Sequence, residues 1–354
     1  MPTTPNKKRF RDYGFETGVL PTGEGNVLSD VPGVLVGHVT LIEGEDIRTG
    51  VTLVDPGTKA LFRNKLPAAV AVGNGFGKLT GTTQIEELGT LETPIALTNT
   101  LAVGPVLRGL VDLTLARNPG MEEFETVNGV VGETNDGRVN RIHADVIKSE
   151  HVVEAAQNTA KDFPLGCVGA GTGTRAFSWK GGIGTASRRV KVTDCEYTFG
   201  ALLQTNFGGE LMILGVPVGR ALGKSDLPLP EIKPDGSCMI VLATDAPLTA
   251  RQLKRIASRA FLGLARTGSV MAHGSGDYAV AFSTSRNGVE GSDQQGTCLD
   301  DNELTQFFLA AVETVEESVY DALFVAKTTK GRDGQVLEEL PIDKVVDLLE
   351  SRLK

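Results

Sequence analysis

The stretch KPDGSCMIVLATDAPL, residues 233–248, decides how the rest of the chain is read. After Asp235-Gly236, the run from Ser237 to Ala243 is apolar without alternation, the pattern of a strand covered on both faces. Read plainly, Asp235-Gly236 is a turn in front of that strand. A sharper reading is that the protein cuts its own Gly236–Ser237 bond. A serine hydroxyl beside a strained preceding carbonyl can attack it, giving an ester that water then hydrolyses. The new chain would begin at Ser237, with its α-amine within reach of its own hydroxyl. Such an amine has a reference pKa of about 7.7–8, so it can serve as general base without any histidine. Glycine at 236 removes the Cβ that would crowd the attack. The residues alone leave both readings open.

Upstream of the bond lies GKSDLPLPEIKPDG (223–236), with three prolines and no periodicity, which reads as an exposed linker. Downstream, residues 249–267 predict a helix. Leu253, Ile256, Ala257, Ala260 and Leu264 share one face, Thr249 can cap the start and Gly268 ends it. A strand at 278–284 follows, then helices over about 302–326 and 341–353. Toward the N-terminus, 26–41 reads as strand, Pro32-Gly33 turn, strand. Strands are also expected at 67–75, 95–99, 196–206 and 210–219, and helices at 100–117 and 148–160. There is no internal repeat, and no composition shift marks a domain boundary.

Composition narrows the function. The chain has 354 residues, 40% hydrophobic and 22% charged, which is globular rather than disordered. No apolar run approaches the length of a membrane span, and no apolar segment follows the basic N-terminus as a secretory signal requires. Thirty-five Lys and Arg against 44 Asp and Glu give a net charge of −9, which disfavours nucleic acid as a partner. Cys167, Cys195, Cys238 and Cys298 lie far apart without a CxxC, as expected of reduced thiols in a cytoplasmic protein. Forty-three glycines imply many tight turns and close backbone approaches in a β-rich core.

Several apparent motifs do not hold. GRALGKS (219–225) is one residue short of a phosphate loop and runs into proline-rich coil. Gly171-x-Gly173-x-x-Ala176 fits a dinucleotide fingerprint only if Gly181, Gly182 and Gly184 sit inside a helix. His38, His143, His151 and His273 have no metal-ligand spacing, so no metal is expected. HGSGD (273–277) lacks the first glycine of a nucleophile elbow, and no third partner for a Ser-His pair can be found.

Taken together, the ordered motifs resemble the DmpA-type L-aminopeptidase/D-esterase family, which includes the β-peptidyl aminopeptidases. The likeness runs from NVLSDVPGVLVGHVTL (26–41) through VVGETNDG (130–137), GAGTGT (169–174) and KGGIGTASR (180–188). It continues through QTNFG (204–208), GSCMIVLATDAPL (236–248), GSGDYAVAFST (274–284) and AAVETVEESV (310–319). The resemblance implies an α/β fold, a four-layer αββα sandwich shared with the ornithine acetyltransferases, as one integrated unit. It implies self-cleavage into an α-chain, 1–236, and a β-chain, 237–354, that form a heterodimer, with heterodimers assembling into a tetramer of heterodimers. It makes Ser237 the nucleophile and its amine the base, and Asn206 an oxyanion donor. Ser275 and Asp277 would orient the nucleophile (some members carry Glu where this chain has Asp277). Glu133 would pair with the substrate's ammonium group, and Asn135 stands where some relatives have tyrosine. The expected activity is removal of N-terminal residues from small peptides, amides or esters, with no cofactor and no membrane. Two alternatives are a dedicated amidase or acyl-transfer enzyme on one metabolite, and an unprocessed scaffold. The related acetyltransferases use threonine, which Ser237 argues against.

Overall fold

The apolar run after Gly236 lies inside a six-stranded sheet, where both of its faces are covered. The computed structural model describes residues 7–58, 60–226, 235–287, 289 and 296–353. Its principal strands are β1 (Leu35–Glu43), β2 (Ile47–Asp55), β3 (Leu66–Gly75), β4 (Thr90–Leu91), β5 (Ile95–Asn99) and β6 (Val130–Thr134). They continue with β7 (Ile183–Val192), β8 (Cys195–Asn206), β9 (Asp235–Thr244) and β10 (Gly274–Ser283). One sheet has the order β1-β2-β5-β6 and the other β4-β3-β10-β9-β8-β7. Only the β5–β6 and β9–β10 pairs are parallel in these two sheets. The principal helices are α1 (Thr82–Leu88), α2 (Val103–Arg117), α3 (Glu150–Gln157), α4 (Ala250–Arg266), α5 (Leu304–Val325) and α6 (Ile342–Leu353). The fold is mixed α/β, and no helix among the described residues is long and apolar enough to cross a membrane.

Strand alternation assigns the faces. Along β9, Met239 and Val241 pack with Val36, Val54, Leu97 and Val130 of the four-stranded sheet. Cys238, Ile240 and Leu242 point the other way, onto Leu253, Ile256 and Ala260 of α4 and Phe307 and Val315 of α5. A third apolar cluster joins Val51, Leu53 and Ala96 to Val106 and Leu110 of α2 and Val152 of α3. The cap on α4 is as expected, with Thr249 Oγ1 accepting the Gln252 N–H.

Four local expectations need correction. Residues 28–30 are a 3-10 turn rather than a strand, because Asp30 accepts the backbone N–H groups of Gly25 and Val27. Residues 210–219 give only a short hairpin, since Leu214 (φ 49°) and Gly215 (φ 80°) reverse the chain between Ile213 and Val216. The last strand starts at Gly274, four residues before the expected 278, which draws GSGD into it. Asp235-Gly236 belong to β9 rather than to a turn, and Asp226 at the start of the linker is buried. Most of that linker, 227–234, lies outside the described residues.

Candidate active site

Three adjacent strands bring the predicted residues together. Ser237 pairs with Asn206 of β8 on one side and with Gly276 of β10 on the other. Gly236 pairs with Ser275, and Cys238 with Asp277. By alternation, the Ser237 hydroxyl lies on the face of Met239, between the sheets. Ser275 and Asp277 lie on the opposite face, with Gly236 and Cys238. Sequence order hid that split.

The Ser237 hydroxyl donates to the carbonyl oxygen of Gly236 at 2.6 Å and accepts the Gly276 N–H at 3.4 Å. It is therefore in direct contact with the carbonyl group that it would attack. Residue 236 is tightly enclosed, since a Cβ there would lie 3.1 Å from Ser275 Oγ and 3.1 Å from Phe207 Cα, so that a neighbour would have to give by a few tenths of an ångström. The neighbouring thiol of Cys238 is fully buried, and burial followed by the charge of Asp277 pushes its pKa well up, so it is an inert neighbour.

Asn206 is held by its acceptor end. Its side-chain oxygen takes the Arg175 backbone N–H at 3.0 Å, which fixes the amide's orientation and leaves the NH₂ as the outward donor. The loop behind it is held by Lys180. That fully buried ammonium donates to the carbonyls of Gly171 (2.9 Å) and Gly181 (2.8 Å). Burial lowers the Lys180 pKa, and the same loss of water pushes Asp136 nearby up to about 7. The glycines of GAGTGT and KGGIG thus wrap a lysine. A Cβ on Gly182 would lie 2.4 Å from the Gly166 carbonyl oxygen, so close backbone approach explains a glycine there.

Ser275 and Asp277 share an unusual state. Neither the Ser275 hydroxyl nor either oxygen of the Asp277 carboxyl has a hydrogen-bond partner among the described residues, though all three are buried. Burial pushes the Asp277 pKa up to about 6, and the nearby Ser275 hydroxyl offsets this only in part. The turn leading into them is held by Asn74, whose side-chain NH₂ lies 2.9 Å from the carbonyl of Ala272, 3.1 Å from that of His273 and 2.5 Å from that of Ser275. Sequence reading missed Asn74. Its only signal was a polar residue at the end of an apolar strand.

Glu133 lies at the inner end of β6, 3% exposed. Its Oε1 accepts the Lys78 backbone N–H at 2.9 Å, with Lys78 Nζ at 3.6 Å. A Cβ on Gly77 would lie 3.1 Å from Glu133 Oε1 and 3.3 Å from Gly276 Cα, so the carboxylate borders the nucleophile's strand pair. Asn135 is exposed and accepts the Gly137 N–H through its side chain.

The histidines take other places. His38 is half-buried, with its pKa lowered to about 4 by loss of solvent around the ring, and its Nδ1 is 2.9 Å from Thr52 Oγ1. His273 is exposed, its ring 6.2 Å from that of Phe76. A cleft of about 1050 Å³ between Lys7–Arg9 and residues 161–165 contains none of the residues at Ser237.

Comparison with known proteins finds similarity over nearly the whole chain. The family model described as Peptidase family S58 matches residues 26–337. The β-peptidyl aminopeptidase BapA of Sphingosinicella microcystinivorans is 38% identical over 361 residues, covering 94% of this chain and 89% of that protein. The crystal structure of the PH0078 protein from Pyrococcus horikoshii OT3 superposes with a TM-score of 0.91 at 42% identity, covering 98% of this chain and 100% of that one. The L-aminopeptidase D-Ala-esterase/amidase of Ochrobactrum anthropi, described as a prototype of the serine aminopeptidases and a variant of the Ntn hydrolase fold, superposes with a TM-score of 0.87. It is 34% identical, over 98% of this chain and 99% of that one.

Proposed function

Because the chain belongs to peptidase family S58 and is a serine-type aminopeptidase with an N-terminal nucleophile, we propose that it makes that nucleophile by cutting its own Gly236–Ser237 bond. The observation that carries this is the 2.6 Å contact of the Ser237 hydroxyl with the Gly236 carbonyl. Oγ adds to the carbonyl carbon, the C–N bond breaks, and the nitrogen leaves as the Ser237 amine with a proton. Water then hydrolyses the ester, freeing the hydroxyl and leaving a carboxylate on Gly236. In turnover the amine takes the Oγ proton as Oγ attacks the substrate carbonyl, the leaving group departs with that proton, and water then hydrolyses the acyl ester, releasing the acid and freeing Oγ. Asn206 Nδ2 donates to the developing oxyanion, a task suited to a neutral donor that does not titrate.

The unpartnered Ser275 hydroxyl and Asp277 carboxyl fit a group that does not exist before cleavage. The amine released at Ser237 is a donor of the kind that both lack in the uncut chain. Glu133 is the anchor for the ammonium group of a small peptide, amide or ester, which makes a free N-terminus a requirement. The layers stack as αββα in one integrated domain, since three apolar clusters fill the spaces between sheet and sheet and between each sheet and its helices. The α-chain, 1–236, and β-chain, 237–354, stay associated, and heterodimers assemble into a tetramer of heterodimers. The free cysteines suit a reducing, cytoplasmic setting.

Intact-mass measurement of the purified protein, with N-terminal sequencing of each chain, tests the proposal. Two chains, the smaller beginning Ser-Cys-Met-Ile, are expected. A single uncut chain that hydrolyses aminoacyl amides at full rate would overturn it.

A further inference from the structure

Glu133 is not empty-handed in the free protein. Lys78 Nζ stands 3.6 Å from its Oε1 while donating to Thr100 Oγ1 at 2.7 Å. The two partners differ sharply in burial, because the Lys78 side chain is 54% exposed and that of Glu133 only 4%. A carboxylate so buried needs a counter-charge, since an unpaired buried charge is strongly unfavourable. Lys78 supplies one, but loosely, at ion-pair distance and with its own hydrogen bond directed elsewhere. We infer that Lys78 is a specificity-determining residue. Its ammonium holds the place of the substrate's ammonium at Glu133 and is displaced when a substrate with a free amine binds.

This rests on the reading of Glu133 as the ammonium anchor. On that reading, two cations compete for one carboxylate. The lysine gives the buried Glu133 carboxylate a loose counter-charge in the resting site, one that a substrate ammonium can replace. Its stem is solvated and Thr100 is already its partner, so it can move aside without leaving a buried donor unpaired. The backbone N–H of Lys78, bonded to Oε1 at 2.9 Å, stays in place throughout and keeps the carboxylate oriented. The exchange acts on binding and leaves the chemical step alone, because the polar partners of Lys78 are Glu133 and Thr100 rather than Ser237 or Asn206.

The experiment compares Lys78→Met, which keeps the apolar stem, with Lys78→Arg, which keeps the charge, using the mature enzyme and an aminoacyl p-nitroanilide. A pair held at 3.6 Å by a lysine that is more than half exposed has only modest strength, so Lys78→Met is expected to lower KM about two- to fivefold with kcat unchanged. An alkylammonium inhibitor should tighten by the same factor, and Lys78→Arg should stay near the parent. An unchanged or raised KM in Lys78→Met would overturn the inference. Glu133→Gln separates this from the premise. If it abolishes the preference for a free amine over an N-acetylated substrate while Lys78→Met leaves KM unchanged, the anchor stands and the placeholder falls. If Glu133→Gln keeps that preference, both fall.

Discussion

Asn206 and Ser237 face one another across the β8–β9 ladder, and the Arg175 backbone N–H holds the acceptor end of the asparagine, which leaves its donor end free. An oxyanion donor needs this one-sidedness, because it must meet charge that appears only in the transition state.

Asn206→Ala should therefore lower kcat by about 10²–10³ with little change in KM. The same donor would serve the Gly236 carbonyl during self-cleavage, so processing should slow as well. Steady-state kinetics on fully cleaved protein, beside a time course of band conversion, checks both. A variant with normal kcat would remove Asn206 from the site.

The second prediction concerns the base. If the Ser237 amine takes the proton, activity should rise with pH through roughly 7 to 8, as an α-amine loses its own proton. His273 is exposed and stands against Phe76, so His273→Ala should keep most of the activity and the same profile. A several-hundred-fold loss in that variant, with folding intact, would assign the base to histidine instead.

Asp277 links stability to function. Its carboxyl holds a proton to about pH 6 in the folded chain, whereas an unfolded aspartate loses it near pH 4. Between those values the folded state binds more protons, so its stability falls as pH rises from about 4 to 6 and then stays level. Asp277→Asn removes that penalty. In a Ser237→Ala background, which keeps one chain, Asp277→Asn should raise stability by at most about 2–3 kcal/mol at pH 8 and by almost nothing at pH 4. In the cleavable protein the same change should impair turnover, an exchange of stability for function. Urea unfolding at the two pH values reads the first half. Equal effects at both would mean that the carboxyl is not held protonated.

The sequence made the outer helices and the cleavage strand legible, because α4, α5 and β9 carry unmixed patterns: a helical stripe, a long apolar face and an unbroken apolar run from Cys238 to Ala243. It hid β7. Ile183–Val192 reads IGTASRRVKV, polar enough to pass for a loop. The fold tolerates those residues because Arg188 is wholly buried and paired with Glu313 (2.8 Å) and Glu317 (2.6 Å) of α5. Such pairing depends on residues more than a hundred positions away, and no local pattern announces it. Gly236, Ser237, Asn206, Ser275 and Asp277 could be gathered from motifs, but their faces could not. The register that sets Ser275 and Asp277 opposite the Ser237 hydroxyl emerges only once β9 pairs with β10 in parallel. Asn74 and Lys78 were invisible for a similar reason, since each acts on backbone or carboxylate groups that the chain brings near only when folded.

Cleavage itself is the last prediction. Cutting after Gly236 should give chains of 236 and 118 residues (354 − 236 = 118), the smaller beginning Ser-Cys-Met-Ile. The attacking hydroxyl and its target carbonyl belong to consecutive residues already 2.6 Å apart at their oxygens, so no second molecule is needed. Conversion of freshly folded precursor should thus be first-order and insensitive to dilution, unless assembly has to come first. Ser237→Ala lacks the oxygen required for both attack and turnover, and should remain one folded, inactive chain. Ser237→Cys can make the same attack through sulfur and should still be cut, at a different rate. Gly236→Ala tests the space rather than the nucleophile. Its Cβ would press against Ser275 Oγ and Phe207 at 3.1 Å, so cleavage should slow without a large loss of stability. The decisive comparison is a time course of the four precursors on a denaturing gel, repeated over a hundredfold range of concentration. Cleavage of Ser237→Ala at the same bond would transfer the reaction to an outside protease.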